Sequence, residues 1–277
     1  MMAHGASSTQ ITHIITLLND HTVCRVIELS IEEHGDPGFP FTWLCFGSEG
    51  RREQTLHTDQ DNGILFAAED AADAARMRGV LLPLAQKMIR TTTPENLMAS
   101  SIYFDFRVVW GEADGARKLF NRVLEKVSNN TLFQHMLAHN ALTQRPPIGR
   151  FRDFVVARSG VEKDTLDLKK QGLMPFVDGA RLLALAHGIS ECNTLERFRQ
   201  LSALEVIDAK DAAAYEEAYH YIQLIRMQQH QLQDRQGLPF SNRIDPDTLN
   251  HLDRRILRES FRQAKRLQAS LALRYQL

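Results

Sequence analysis

The hydrophobic pattern of the chain changes character near residue 112. Before that point, apolar residues recur at roughly helical spacing over 11–33, which predicts an amphipathic helix. The segments 41–46 and 62–66 have the apolar composition of buried strands, and 71–90 again has a helical pattern. We therefore expect an N-terminal domain, residues 1–112, in which helices pack against a small sheet.

Beyond residue 112, apolar residues recur only at helical spacing, with charged residues between them. The predicted helical segments are 115–139, 175–188, 194–203, 212–236 and 246–275. Prolines and glycines interrupt the pattern between several of these segments, as expected for loops. This half of the chain, 113–277, is predicted to be a helical bundle domain. The fold class expected for the whole chain is α+β, with a small mixed-sheet core followed by the all-helical part.

The end of the first predicted strand is followed by an informative group of small and charged residues. Gly47 follows the strand directly, and a glycine at this place lets the backbone approach a ligand closely. If a short helix begins at Ser48, its first N–H groups have no partner within the helix and attract a phosphate group. Ser48 adds a hydroxyl donor, and Arg51 or Arg52 would stabilise negative charge there. These residues form the predicted nucleotide-binding segment.

Two carboxylates precede the second predicted strand. Asp59 and Asp61 are two residues apart, so they would project from one face if the strand includes them. Paired carboxylates repel each other unless a cation lies between them, and carboxylate oxygens are ligands that suit Mg²⁺. Either half of this region alone could be an ordinary solvated loop, because glycine, serine and aspartate are common in turns. Their combination predicts a metal-dependent phosphoryl or nucleotidyl transfer site.

A known family shares this combination. The pattern Gly-Ser-x-Gly-Arg-x-Glu over 47–53, followed by Asp-x-Asp over 59–61, resembles the signature of the DNA polymerase beta superfamily of nucleotidyltransferases. Segments 53–62, 101–107 and 166–169 are similar to those of signal-transduction nucleotidyltransferases, which are often found behind paired CBS domains and are related to the PII-protein uridylyltransferases. The resemblance implies transfer of a nucleoside monophosphate from an NTP to a hydroxyl group, with Mg²⁺ as cofactor and Mn²⁺ as its alternative.

The resemblance also implies a third carboxylate in the metal site. Asp105 lies between two phenylalanines and takes this place, so it would complete the metal site with Asp59 and Asp61 or activate the attacking hydroxyl. From the residue types alone, the alternative is a structural pair with Arg107, because a buried lone carboxylate is costly. Family members carry a further stretch before this carboxylate that is missing here. The alternative function is therefore a nucleotide-binding regulatory module that has little or no turnover.

Two sites in the helical half are further candidates. The resemblance implies that Lys169 reaches the phosphates, with Asp167 able to orient it, whereas the residues alone favour ordinary solvated charges. Arg181 is either a cleft residue or a helix-surface partner of Asp178, which lies three positions before it.

Composition limits the partners. Lys and Arg number 33 against 34 Asp and Glu, so the net charge gives no general case for binding nucleic acid. No stretch approaches the ~20 apolar residues of a membrane span. The cysteines at 24, 45 and 192 lack metal-ligand spacing, and with no signal-peptide pattern at residues 1–10 the expected location is cytoplasmic.

The resemblance further implies two protein partners. The acceptor would be a small signalling protein, or else a small molecule, and any CBS-type regulatory domain would be a separate chain. The residues do not specify which NTP is used, what the acceptor is, or the oligomeric state.

Overall fold

The computed structural model of the protein describes residues 7–55, 60–88, 100–149 and 154–277. Within these residues the structure is mainly helical and contains two small antiparallel sheets, so the expected α+β class is confirmed. None of the helices in this part of the chain is long and apolar enough to cross a membrane.

The chain divides into two compact units. One comprises Gln10–Val123, and the other comprises Leu124–Leu277 together with the described residues before Gln10. Each unit has its own apolar cluster of buried side chains.

The first unit is built on a three-stranded sheet, with strands β1 (Phe41–Phe46), β2 (Asn62–Phe66) and β3 (Phe106–Trp110) in the order β2-β1-β3. Among the described strands, β1 pairs antiparallel with both neighbours, rather than in the mixed arrangement expected. Because β1 is central, its residues Trp43 and Cys45 are buried. The polar segment that follows β1 is thereby placed at the end of the central strand.

Two long helices belong to this sheet region, α1 (Ser8–His34) and α3 (Ala71–Met88). Between β1 and β2 lies a very short helix, α2 (Gly47–Gly50). Val23 and Ile27 of α1 form one apolar cluster with Trp43 and Cys45 of β1, which confirms the prediction that the N-terminal helix packs beside the sheet. The predicted end of α3 at residue 90 lies outside the described residues.

The second unit is a bundle of helices. Helix α4 (Asp114–Ser128) runs across the sequence boundary between the two units. Five helices follow it in the described part of the chain: α5 (Thr131–Ala141), α6 (Met174–Ala186), α7 (Thr194–Ala203), α8 (Ala209–Arg235) and α9 (His251–Tyr275). The predicted helix over 115–139 is interrupted, because Asn130 caps α5 by accepting a hydrogen bond from Phe133 N at 2.9 Å.

Aromatic side chains form the centre of the bundle. Phe176 of α6 is in ring contact with Phe198 of α7 and with Tyr215 and Tyr219 of α8. A short antiparallel pair, β4 (Leu166–Asp167) and β5 (Arg243–Ile244), lies in the same unit. The predicted bundle character of this half is confirmed.

Candidate functional site

The glycine-serine segment forms a tight turn at the end of β1. Helix α2 is four residues long and therefore shorter than the helix predicted from Ser48 to Gln54. The N–H groups of Arg51 and Glu53 donate to the carbonyls of Gly47 and Ser48, at 3.0 and 2.9 Å. Gly47 has a φ of +61°, a conformation that favours glycine. Since so short a helix has little dipole, phosphate binding here would depend on the N–H groups and side chains of the turn.

Asp61 lies beside this turn. A Cβ placed on Gly47 would come within 3.2 Å of Asp61 Oδ2, and Asp61 O accepts a hydrogen bond from Phe46 N at 2.8 Å. Strand β2 begins one residue later, so Asp61 precedes the strand instead of lying within it. Asp59 lies outside the described residues, and the predicted pairing of these two carboxylates stays a prediction.

Asp105 belongs to a buried ionic cluster. It is 0% exposed, and its Oδ2 accepts a hydrogen bond from Arg51 Nη1 at 2.7 Å. Arg51 Nε donates to Glu53 Oε2, also at 2.7 Å, so one guanidinium joins two carboxylates. The alternative of an Asp105–Arg107 pair is wrong. A 3₁₀ helix over Ser100–Phe104 replaces the beginning of the predicted strand, so Asp105 precedes β3 and does not alternate with Arg107 along it.

This cluster engages two residues that were predicted to contact the ligand, Arg51 for the phosphates and Asp105 for the metal ion. Arg51, predicted to face the phosphates, is held by Asp105 and Glu53. Across the described ranges, no group of three His, Cys, Asp or Glu side chains is arranged to hold a metal ion. The predicted role of Asp105 in metal binding stays a prediction, and in this structure its Oδ2 contacts Arg51.

Arg107 of β3 also contacts the turn. Its Nη1 and Nη2 donate to the two oxygens of Asp20 at 2.8 and 2.6 Å, and its Nε donates to Glu49 O at 3.3 Å. Asn19 Nδ2 donates to Gln54 Oε1 at 3.0 Å. Helix α1 and strand β3 therefore both hold the glycine-serine segment, at Gln54 and at Glu49. The sequence analysis missed these anchors, although Asn19-Asp20 is a polar pair within an apolar stretch of α1.

Arg52 differs from its neighbour Arg51. Its side chain is exposed, and its backbone has a φ of +60°, which is uncommon outside glycine and is often found at functional sites. Within the described residues its guanidinium makes no hydrogen bond or ion pair. Of the two arginines predicted to stabilise phosphate charge, Arg52 is the one with an available side chain.

Glu49 is a buried carboxylate inside the turn. It is 0% exposed, and neither of its oxygens has a hydrogen-bond donor in the described part of the chain. Burial raises the pKa of Glu49 above its ordinary value, the positive charge of Arg107 opposes this shift, and the negative charges of Asp20 and Asp61 add to it. A glutamate between serine and glycine gave no sequence signal of this burial.

Replacing Glu49 by glutamine is expected to raise the free energy of unfolding at neutral pH by about 1–3 kcal/mol, because the buried charge without a donor is removed. The unfolded chain loses the Glu49 proton near the ordinary value of 4.5, whereas the folded protein keeps it to higher pH. Wild-type stability should therefore fall as pH rises from about 4.5 through the folded-state pKa, and the Glu49→Gln variant should lack this fall. Urea unfolding from acid to neutral pH measures both effects.

The exposed Glu69 of the same unit provides the control. Glu69→Gln should change the free energy of unfolding at neutral pH by no more than about 0.5 kcal/mol, as is usual for an exposed position. A Glu49→Gln variant that is less stable than wild type at neutral pH would show that the carboxylate has a stabilising partner.

The second unit holds the other predicted residues. Lys169 lies in a π-helix over Leu168–Leu173, a type of helix often associated with functional sites. Asp167 Oδ1 accepts hydrogen bonds from the backbone N–H groups of Lys169 and Lys170 at 2.9 and 2.8 Å. Asp167 thus orients the backbone of this turn. Lys169 is half-buried, and its predicted contact with phosphates stays a prediction.

Arg181 is paired with Asp178 at 2.5 Å, and both side chains are buried. Of the two alternatives left open for Arg181, the i,i+3 pair with Asp178 is the one observed, but it is buried and does not lie on the helix surface. The pair lies on α6, which is buried along most of its length.

Two family models match parts of the chain. Residues 1–94 match the family model described as "Putative nucleotidyltransferase DUF294", a match that includes the glycine-serine turn and Asp61. Residues 131–275 match the model described as "Putative nucleotidyltransferase substrate binding domain". No curated protein matches the chain. The two matched regions together cover most of the sequence, and the chain therefore belongs to the nucleotidyltransferase family defined by these two domains.

Proposed function

We propose that the protein is a metal-dependent enzyme that transfers a nucleoside monophosphate from an NTP to a hydroxyl group of an acceptor. The observation that carries the proposal is the position of Asp61 Oδ2 beside Gly47, where a Cβ would come within 3.2 Å. A carboxylate is thereby brought to a tight backbone turn at the end of the central strand. Acidic oxygens beside backbone N–H groups are the parts that NTP binding with a divalent cation requires.

The residues at this site fit Mg²⁺ or Mn²⁺. Asp61 offers a hard oxygen ligand at a place that glycine leaves open, and Asp59 is the proposed second ligand. An ion held there would neutralise charge on the triphosphate and on the leaving pyrophosphate. The further polar groups of the turn would then bind the phosphates directly.

Each remaining residue has a proposed role in binding or positioning. Gly47 and the hydroxyl of Ser48 would contact the terminal phosphates, and the exposed Arg52 would stabilise their charge. In the transfer, the acceptor oxygen bonds to the α-phosphorus, the bond to the β-phosphate oxygen breaks, and pyrophosphate leaves. The acceptor hydroxyl loses its proton in this step. Lys169 is proposed to contribute to phosphate binding, as the family resemblance implies.

Asp105 is proposed to act through Arg51 unless that contact opens. Its Oδ2 is held by Arg51 Nη1 at 2.7 Å, and Arg51 is fixed in turn by Glu53. To receive the acceptor proton or bind a metal ion, Asp105 would have to exchange this contact. The same observation favours the second candidate function, a nucleotide-binding regulatory module with little turnover.

The acceptor class is proposed from the family resemblance. A hydroxyl group on a small signalling protein would make the enzyme similar to the PII-protein uridylyltransferases. A separate CBS-type chain would then be a candidate regulator.

Substituting Asp61 by asparagine is expected to abolish metal-dependent stabilisation by NTP and to lower pyrophosphate release by more than about 100-fold, since a ligand of the proposed cation is lost. Thermal shift and pyrophosphate release are measured with ATP, UTP, CTP and GTP, with and without Mg²⁺, and cell extract supplies the acceptor. The matched control is Asp114→Asn, which removes an exposed carboxylate that pairs with Arg117 of α4.

The results separate the two candidate functions. Pyrophosphate release that depends on Asp61 but not on Asp114 supports the enzyme and identifies the donor base. Metal-dependent NTP binding without release supports the regulatory module. Equal activity of wild type and Asp61→Asn would reject this turn as the NTP site.

A further inference from the structure

Arg226 of α8 is a buried cation whose hydrogen-bond partners are neutral. It is 4% exposed, its Nε donates to Asn242 Oδ1 at 2.6 Å, and its Nη1 donates to Gln223 Oε1 at 3.4 Å. Two other buried arginines of this protein have carboxylate partners: Arg51 contacts two of them, and Arg181 contacts Asp178. In the described part of the chain, no carboxylate oxygen lies within 4.0 Å of the Arg226 guanidinium. A buried charge without an ionic partner is costly, which suggests that its partner is a ligand.

The charge balance around Arg226 is incomplete. Burial lowers the pKa of Arg226 to about 10, against which Tyr219 and Asp167 act, so the guanidinium remains protonated at neutral pH. Asp167 is the nearby acid, but its Oδ1 already accepts two backbone hydrogen bonds. The half-buried Lys169 and the exposed Lys170 add further positive charge on the turn that Asp167 caps. The buried guanidinium therefore has room in its charge balance for an anionic ligand.

One nitrogen of Arg226 remains available to a ligand. Nη2 makes no hydrogen bond within the described residues, and it is not fully excluded from solvent. It therefore keeps contact with solvent, although the rest of the side chain is buried. The other two nitrogens are fixed by Asn242 and Gln223, which holds the guanidinium in one orientation. A preorganised guanidinium suits the oxygens of a phosphate group.

The backbone around Arg226 is also held in place. Asn242 O accepts a hydrogen bond from Leu168 N at 2.9 Å, so the residue that fixes Arg226 also joins the start of the π-helix. Asp167 and Arg243 face each other in the β4–β5 pair. The residue that orients Arg226 is thus itself fixed by the backbone of the π-helix.

We propose that Nη2 of Arg226 binds a phosphate group of a substrate, in a subsite of the second unit formed with Asn242 and the turn that carries Lys169. This inference rests on the proposed nucleotidyl transfer for its choice of phosphate among anions. The phosphate can come from two sources, the donor nucleotide or a phosphorylated acceptor. Both present the same non-bridging oxygens to the guanidinium.

The full-length protein tests the proposal by calorimetric titration with pyrophosphate in the absence of metal. Arg226→Gln is expected to weaken pyrophosphate binding by about 10-fold or more, because a charged hydrogen bond is lost. Arg226→Lys keeps the charge and should retain part of the affinity. The matched control is Gln233→Ala, which removes the hydrogen bond from Ser241 N in the same loop without touching Arg226. Gln233→Ala should bind pyrophosphate as wild type does.

Equal weakening in Gln233→Ala and Arg226→Gln would overturn the proposal, because it would assign the effect to the loop. Unchanged affinity in Arg226→Gln would overturn it as well. If Arg226→Gln does not fold, hydrogen exchange in the wild type decides: pyrophosphate should slow exchange of the Leu168 N–H, and unchanged exchange would reject the subsite.

Two further measurements extend this experiment. Competition between ligands identifies the source of the phosphate, and the Asp61→Asn variant separates the subsite from the proposed function. Competition by NTP against pyrophosphate assigns the subsite to the donor, whereas competition by a phosphomonoester alone assigns it to the acceptor. Competition by neither would overturn the proposal. Asp61→Asn should retain the Arg226-dependent binding of pyrophosphate. If the wild type shows no turnover, or Asp61→Asn loses it, this binding is therefore still expected, and only its loss counts against the subsite.

Discussion

Replacing Arg51 by methionine is expected to lower the free energy of unfolding by about 3–5 kcal/mol, which is the usual cost of removing one partner of a buried ion pair. Arg51 is the cation between Asp105 and Glu53, with both contacts at 2.7 Å. Methionine fills a similar space but leaves the buried carboxylates of Asp105 and Glu53 without the guanidinium of Arg51. Urea unfolding of the protein without nucleotide measures the loss, and so keeps it separate from any effect on ligand binding.

Arg25→Met is the matched control. Arg25 also contacts two carboxylates, Glu28 and Glu32 at 2.8 and 3.4 Å, but its side chain is 50% exposed. Exposed ion pairs contribute about 0–1 kcal/mol, so the same substitution should have little effect there. A similar small loss in Arg51→Met and Arg25→Met would show that the Asp105 cluster does not stabilise the fold.

The buried ionic cluster of Arg51, Glu53 and Asp105 also positions the glycine-serine turn. Arg51 and Glu53 follow the glycine-serine turn directly, and Asp105 comes just before β3. The cluster therefore connects the turn to the third strand of the sheet. In the proposed enzyme, the residue predicted as a phosphate contact would instead keep the turn in position, while the neighbouring Arg52 faces solvent.

The elements of the fold were largely predictable, because long apolar repeats specify them. The periodicity over 11–33 predicted α1, observed at Ser8–His34, and the apolar segment at 41–46 matched β1. Periodicity does not reveal which polar groups meet. The partner of Asp105 was missed because the strand rule that places Asp105 beside Arg107 applies only within a strand, and β3 begins one residue after Asp105.

Buried polar residues were missed for a related reason. The glutamine-rich part of α8 has the composition of a solvated polar face, yet His230 and Gln233 are buried. Gln233 Oε1 accepts a hydrogen bond from Ser241 N at 2.9 Å, and His230 is in ring contact with Phe240. These residues hold the loop after α8 to the helix. A sequence pattern that counts only apolar residues cannot distinguish such a face from a solvated one.

Gly50→Ala is the second substitution expected to have a large effect, a loss of about 3 kcal/mol or more in the free energy of unfolding. A Cβ on Gly50 would lie 2.1 Å from Asp105 O and 2.9 Å from Cys45 O. Both are backbone atoms next to or within the strands that support the site, so no side-chain rotation relieves the overlap. The turn would have to move away from the sheet, and metal-dependent NTP binding should be lost with the stability.

Gly79→Ala tests whether this cost comes from the close approach or from the glycine itself. Gly79 lies within α3, and a Cβ there would meet nothing within 4 Å. Alanine at this position should stabilise the protein by roughly 0.5–1 kcal/mol, because glycine is unfavourable inside a helix. The same substitution is thus expected to have opposite signs at the two glycines. Gly50→Ala with wild-type stability and NTP binding would mean that the turn has room beside Asp105, and the rigid positioning inferred for the site would be wrong.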